Sequence, residues 1–136
     1  MPSRRTFVPR LETLEDRCVP APMVFNGGSA EQLGSTLYVN VMSPANTVMI
    51  LEDGSGDVWA QWNAWLPNGF SGINNIQVNA MGASNTVFFD NLVPLASPQQ
   101  VTLNLMAAVN SVFAHIAPGG APLTLQTNPP VAVQPF

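Results

Sequence analysis

VNVMSPANTV, residues 39–48, has two later counterparts in the chain: VNAMGASNTV at 78–87 and LNLMAAVNSV at 103–112. Each copy reads apolar-Asn-x-Met, then three variable residues, then Asn, Thr or Ser, and Val. The copies begin 39 and then 25 residues apart. Unequal offsets indicate a shared unit with excursions of different length between copies, as in a stack of structural repeats.

Each copy carries two asparagines, and stacking would align them in two columns. A side-chain amide both donates and accepts, so each asparagine can hydrogen-bond to the copy above or below it. We therefore predict an asparagine ladder in each column, with the Val and Met positions filling the interior as apolar columns. The predicted ladder residues are Asn40, Asn79 and Asn104 in one column and Asn46, Asn85 and Asn110 in the other.

The segments around the copies also read as strands and turns, and none has an apolar stripe of helical period. Between the first two copies, VWAQWNAW is predicted as a strand with Trp59 and Trp65 on one face and Trp62 on the other. The predicted fold class is all-β: a short parallel β-solenoid or β-roll of three degenerate repeats over residues 23–127, followed by a loose proline-rich tail at 128–136. An antiparallel β-sandwich with Greek-key connections is the alternative.

Composition and charge exclude several classes of function. The chain has 136 residues, enough for one core, and only 9% are charged, against about a quarter in ordinary proteins. There is no lysine, and the last arginine is Arg17. A body without cations cannot neutralise phosphates, which excludes nucleic acid and anionic membrane surfaces as expected partners. No apolar run is long enough for a transmembrane helix.

The first 22 residues differ from the rest. SRRTFVPRLETLEDRCVPAP, residues 3–22, starts basic and then reads R-L-E-x-L-E-D-R-x-V-P from Arg10 to Pro20. This segment resembles the N-terminal LEPRxLL motif of many surface and secreted proteins of planctomycete bacteria, departing from it at Asp16 and at Val19-Pro20. The resemblance implies that residues 1–22 are a sorting segment and that the protein is secreted or located in the cell envelope. A short amphipathic helix over residues 11–17 is the alternative.

Residues 36–125 resemble the RTX-like, hemolysin-type repeats of large planctomycete surface proteins, loosely L-x-V-x-G-x-x-G-N-D-x-V, and FSGINNI at 70–76 fits the phrase between copies. The resemblance implies a β-roll, which in that family binds calcium through Gly-rich turns and aspartates. Asn46, Asn85 and Asn110 stand at the family's aspartate position. Calcium prefers carboxylate oxygens, so the departure predicts repeats that hold together without metal. We expect no cofactor.

Few residues suggest chemistry. In LEDGSGD, Asp53, Ser55 and Asp57 have the alternating spacing of a calcium loop. The twelfth position, where such a loop has an acidic residue, is occupied by Ala64. They are therefore weak metal candidates, and a solvated turn is the alternative. Trp59, Trp62 and Trp65 are a candidate ligand platform, with core packing as the alternative. His115 is the sole histidine and Cys18 the sole cysteine, so no catalytic residue is assigned and the protein is not expected to be an enzyme.

The function that follows is non-enzymatic. We expect an exported structural or adhesive module of the cell envelope that associates with itself or with envelope components. A carbohydrate- or calcium-binding β module, using the Trp strand or the acidic turn, is the alternative.

Overall fold

A computed structural model describes residues 23–25, 27–53, 57–63 and 68–136. The predicted sorting segment, residues 1–22, lies outside the described residues, as do Cys18, Ser55 and Trp65. The described residues form strands and turns, and the prediction of an all-β chain is confirmed. None of them forms a helix long and apolar enough to cross a membrane. The strands are β1 Met23–Phe25, β2 Gly28–Leu33, β3 Thr36–Val41, β4 Ala45–Glu52, β5 Val58–Trp62, β6 Asn68–Phe70, β7 Asn75–Met81, β8 Ser84–Asn91, β9 Gln99–Met106, β10 Val109–Ile116, β11 Leu123–Asn128 and β12 Val133–Pro135.

The strands form two mixed sheets. The first sheet has the order β1-β2-β3-β7-β9-β11, and the second has the order β12-β10-β8-β4-β5-β6. Pairing is parallel from β3 through β11 in the first sheet and from β4 through β12 in the second. It is antiparallel along β1-β2-β3 and β4-β5-β6. Each sheet therefore combines a parallel part with an antiparallel part, which is β1-β2-β3 in the first sheet and β4-β5-β6 in the second.

Each copy of the ten-residue phrase joins the two sheets. It ends a strand of the first sheet, turns a corner and starts a strand of the second sheet, at β3–β4, β7–β8 and β9–β10. The copies pair in register, so that Asn40 lies opposite Asn79 and Asn46 lies opposite Asn85. The residues between β4 and β7 form β5 and β6, which extend the second sheet. This hairpin accounts for the longer of the two offsets.

The core lies between the inward faces of the two sheets. Side chains alternate along each strand, so β3 buries Leu37, Val39 and Val41 while the residues between them face outward. The same parity buries three apolar residues in each of β7 and β9, and these meet residues of β4, β8 and β10 in one apolar cluster. Burying each such aliphatic side chain contributes roughly 1.5–3 kcal/mol. Alternation therefore determines which side chains of each copy face the core and which face outward.

The methionines of the three copies do not fill the interior, so that expectation was wrong. Met42, Met81 and Met106 are 70%, 49% and 65% exposed. The reason is parity: each follows an inward residue and so falls on the outward side, like the first asparagine of its copy. Their place in the interior is taken by Val41 and its counterparts.

The C-terminal residues continue both sheets. β11 pairs in parallel with β9, and β12 pairs in parallel with β10, adding a fourth pass that carries no copy of the phrase. The segment 128–136, predicted to be loose, thus contains the end of β11 and all of β12, and Val131 packs against the core.

Candidate functional site

The first asparagines of the copies form a column on the outward side of the first sheet, which we call the outer column. Asn79 donates from Nδ2 to Oδ1 of Asn40 at 2.7 Å, and Asn104 donates to Oδ1 of Asn79 at 2.8 Å. Asn128 adds a fourth member by donating to Asn104 at 3.0 Å. Asn79, Asn104 and Asn128 thus all donate towards the N-terminal end of the stack. These side chains are partly buried or, for Asn128, exposed.

The second asparagines form the inner column, just after each corner. Asn46 donates from Nδ2 to Oδ1 of Asn85 at 2.9 Å, and Asn85 donates to Oδ1 of Asn110 at 3.1 Å. The direction of donation is opposite to that of the outer column. Asn46 and Asn85 are 2% and 1% exposed, so these amides are satisfied within the protein rather than by solvent.

The remaining amide hydrogens of the inner column bind the backbone of the corners. Asn46 Nδ2 also donates to the carbonyl of Met81 at 2.9 Å, and Asn85 Nδ2 donates to the carbonyl of Ala80 at 3.1 Å. Asn110 donates to the carbonyl of Ala107 at 3.1 Å. Each inner asparagine therefore fixes a corner while it links neighbouring passes.

The inner column is closed at its first member by Asn63, which the sequence did not suggest. Asn63 has a φ of 48°, and its Oδ1 accepts a hydrogen bond from the backbone N–H of Thr47 at 2.9 Å. Its own Nδ2 lies 3.2 Å from Ser43 Oγ and 3.4 Å from Asn46 Oδ1. Asparagine is one of the few non-glycine residues that tolerate a positive φ, and this was the available signal. Asn128 was missed because it lies outside any copy of the phrase.

The three tryptophans do not form one platform. Trp59 is 45% exposed on the outward side of the second sheet, whereas Trp62 is fully buried. Trp62 packs so close to β2 that a Cβ on Gly28 would lie 2.6 Å from its indole ring. Trp65 lies outside the described residues. The predicted alternation along this strand thus separates a core tryptophan from a surface one.

Other aromatic and apolar side chains share the outward side of the second sheet with Trp59. Phe88 and Phe113 stack with ring centroids 5.1 Å apart, and Phe136 meets Phe88 edge-on at 5.8 Å. Leu51 lies opposite Trp59, and Met49 lies opposite Phe88. We call this group the aromatic face; its members are Met49, Leu51, Trp59, Phe88, Phe113 and Phe136. Phe88 and Phe113 occupy the same register position, three residues after the inner asparagine, a regularity that could have been read from the sequence.

His115 lies beside the aromatic face. Its Nδ1 is 2.9 Å from Oδ1 of Asp90, and the two residues are paired across β10 and β8. The His115 side chain is 52% exposed. Ser111 is four residues away on the same strand, roughly 13 Å along it, which is far beyond hydrogen-bonding distance. The described geometry is a surface hydrogen bond rather than part of a nucleophile-activating array.

The acidic turn has only its two ends described. Asp53 donates its backbone N–H to the carbonyl of Asp57 at 3.2 Å, and Ser55 lies outside the described residues. Glu52 points away from this turn: it is fully buried and accepts a hydrogen bond from Gln99 Nε2. Within the described residues, no three His, Cys, Asp or Glu side chains cluster so as to hold a metal ion.

Comparison with known proteins gives no relative. No family model, no curated protein and no solved structure matches the chain. The functional proposals therefore depend on the chain's own residues.

Proposed function

We propose that this protein is a non-enzymatic structural or adhesive module, secreted or located in the cell envelope, and built as a short parallel β-solenoid. The observation that carries the proposal is the in-register stacking of the copies through two continuous asparagine columns. Such a stack is a scaffold whose polar groups are satisfied by its own amides, with no need for a metal at the corners. Asparagine at the aspartate position of the resembling RTX-like repeats supports the same conclusion.

The solenoid assignment is supported by the path of the chain. From β3 onwards the chain passes alternately through the parallel parts of the two sheets, and each pass lies beside the previous one. The antiparallel strands β2 and β5 cover the first pass. No described strand covers the last pass, where β11 and β12 are edge strands. Uncovered edge strands favour association with further strands.

The adhesive part of the proposal rests on the aromatic face. Trp59 and Phe136 are 45% and 56% exposed. Phe136 meets the stacked phenylalanines at Phe88, and Leu51 and Met49 on β4 lie between Trp59 and that stack. Contiguous exposed apolar and aromatic side chains are typical of protein interaction surfaces. We propose this face as the contact with a second copy or with an envelope component.

Self-association tests the adhesive role. Light scattering across a concentration series should show that the intact chain associates and that Trp59→Ser with Phe136→Ser associates at least tenfold more weakly. Thr36→Ser with Thr124→Ser, on the opposite sheet, is the matched control. Association of the double serine variant at the level of the intact chain would remove the aromatic face from the proposal.

Localisation tests the export role of residues 1–22. Fractionation of host cells should place the full chain in the envelope or the medium and a version lacking residues 1–22 in the cytosol. The two proteins should have the same circular dichroism spectrum, which shows that the shorter one still folds. An unchanged distribution would contradict the sorting role.

The alternative function is a carbohydrate- or calcium-binding module that uses the Trp strand or the acidic turn. Exposure of Trp59 favours the carbohydrate version, because an exposed indole can stack on a sugar ring. Tryptophan fluorescence should then change on titration with glycans. A flat titration would eliminate the Trp strand as a binding site.

A further inference from the structure

The outward side of the first sheet carries two columns of uncharged polar side chains next to the outer asparagine column. Parallel pairing sets their register across β3, β7, β9 and β11. We call these two columns the polar face. Its members are Thr36, Asn75, Gln100 and Thr124 in one column and Tyr38, Gln77, Thr102 and Gln126 in the other.

Most hydrogen-bonding groups of the polar face are unused by the protein. Within the described residues, the side chains of Thr36, Asn75, Gln100 and Thr102 make no hydrogen bond. Gln77 and Gln126 make one each, to Asn79 Oδ1 at 3.3 Å and to Asn128 Oδ1 at 3.4 Å. The neighbouring outer column is the opposite case, because there each amide bonds to the next. Two columns with mostly free donors and acceptors therefore lie beside a column whose members bond to one another.

The polar face is concave at its centre. Thr36, Tyr38, Asn75, Gln77, Gln100 and Thr102 line a shallow groove of about 240 Å³, together with Ile76. None of these residues is charged. The nearest carboxylate in the pairing pattern is Glu31, which lies opposite Tyr38 on β2. The groove thus offers amides, hydroxyls and one aromatic ring, without a fixed charge in its lining.

This chemistry selects the kind of ligand. A charged ligand would lose its hydration in the groove without gaining a counter-charge, which is unfavourable. A neutral, hydroxyl-rich ligand can both donate to and accept from the amides, while the Tyr38 ring provides a flat apolar surface. The groups repeat about every 4.8 Å across the strands and about 6.7 Å along them, which suits an extended chain better than a compact molecule.

We propose that the polar face binds a neutral polysaccharide chain. The site lies on the opposite sheet from Trp59, so it is distinct from the Trp strand and from the aromatic face. It goes beyond the structural role and does not depend on self-association or on export. Binding through hydrogen bonds and ring stacking is expected to be insensitive to salt, because no ion pair forms.

Depletion from solution by insoluble polysaccharide tests the proposal on the full chain. The probes are microcrystalline cellulose and chitin, with soluble dextran assayed by affinity electrophoresis. We expect binding to at least one probe, unchanged between 50 mM and 500 mM salt. Tyr38→Ala and Gln77→Ala should each weaken that binding about tenfold, and Tyr38→Phe should retain most of it because the ring remains.

The matched control is Trp59→Ala, which removes an exposed aromatic ring from the other sheet and should leave binding unchanged. Circular dichroism and urea unfolding identify any variant that fails to fold, and if Tyr38→Ala fails, Gln77→Ala carries the comparison. If the intact chain binds none of the three probes, the proposal is overturned. Loss of binding in Trp59→Ala but not in Tyr38→Ala would assign binding to the Trp strand instead. Loss of binding at 500 mM salt would indicate a charged contact and also overturn it.

Discussion

The inner and outer asparagine columns use the same residue at the same sequence offsets, yet their surroundings differ. Inner asparagines are buried or half-buried behind the corners and bond to backbone carbonyls as well as to each other. Outer asparagines lie on a sheet surface, and the hydrogen bonds that join them are between side chains alone. The same residue type therefore has a different hydrogen-bonding role in each column, and strand parity and the distance to the corner determine that role.

The corner explains why the inner column is the more structural of the two. Asn85 donates to the carbonyl of Ala80, five residues earlier, so its side chain closes the corner within its own copy. It also joins that corner to the copies on both sides through Asn46 and Asn110. An outer asparagine has only the second of these tasks, and solvent can replace a lost partner there.

The largest effect is therefore expected from the central inner asparagine. Asn85→Ala should lower the free energy of unfolding by about 3 kcal/mol, because it leaves the Ala80 carbonyl and Asn110 Oδ1 without their buried partner. Asn79→Ala, the central outer substitution, should cost only about 1 kcal/mol, since water can reach the groups it exposes. Urea unfolding measures both.

Asn74→Ala, at an exposed position beside β7, is the control and should change stability by less than about 0.5 kcal/mol. Equal losses for the inner and outer substitutions would contradict the distinction between the columns.

A crowded corner should give the next largest effect. A Cβ on Gly82 would lie 2.2 Å from the carbonyl oxygen of Ser43 and 3.0 Å from Nδ2 of Asn46. Gly82→Ala must therefore shift the corner and strain the first bond of the inner column, at a cost of about 2 kcal/mol. Ala107→Gly, at the same position of the third copy, is the matched change and should cost less than about 1 kcal/mol. Thermal and urea unfolding should agree, and a neutral Gly82→Ala would show that the corner is more open than described.

The closed end of the inner column should give a smaller effect. Asn63→Gly keeps the positive φ accessible but removes the bonds to the Thr47 N–H and to Ser43 and should cost about 1 kcal/mol. Asn40→Ala, at the corresponding end of the outer column, removes one accepted bond and should cost about 0.5 kcal/mol. Unfolding free energies compare the two ends. A larger loss for Asn40→Ala would reverse the assignment of the inner column as the structural one.

Much of this arrangement could be predicted from alternation and from the repeated phrase. Aligning the copies predicted which asparagines lie opposite each other, and period-two alternation predicted that Trp59 and Trp62 face opposite sides. The methionines were misplaced because similarity between copies was given more weight than parity. Parity depends on the residue's own strand alone and would have placed Met42 on the surface.

Long-range contacts set the limit of what the sequence could reveal. Asn63 closes the inner column only because β5 folds back on β4 and brings it beside Thr47, 16 residues earlier in the chain. β2 carries one buried apolar side chain, Ala30, so it lacks the pattern of a core strand. Its place is defined instead by the close fit of Gly28 under Trp62. The polar face likewise depends on the register of strands that are distant in sequence.

The smallest effect on stability is expected from calcium. Adding it tests the inner column directly, because the inner asparagines stand where the resembling repeats carry aspartate. A site with a Kd of about 10⁻⁴ M would stabilise the fold by about 2 kcal/mol at about 5 mM calcium. The inner asparagines already bond to one another and to the corner carbonyls, so the amides have little left to offer a cation. Urea unfolding with calcium and with a chelator should therefore give midpoints that agree within error. A calcium-dependent midpoint that persists in Asp53→Asn with Asp57→Asn would place a metal at the corners and contradict a scaffold held by amides alone. A dependence that disappears in that variant would assign the metal to the acidic turn and leave the inner column as described.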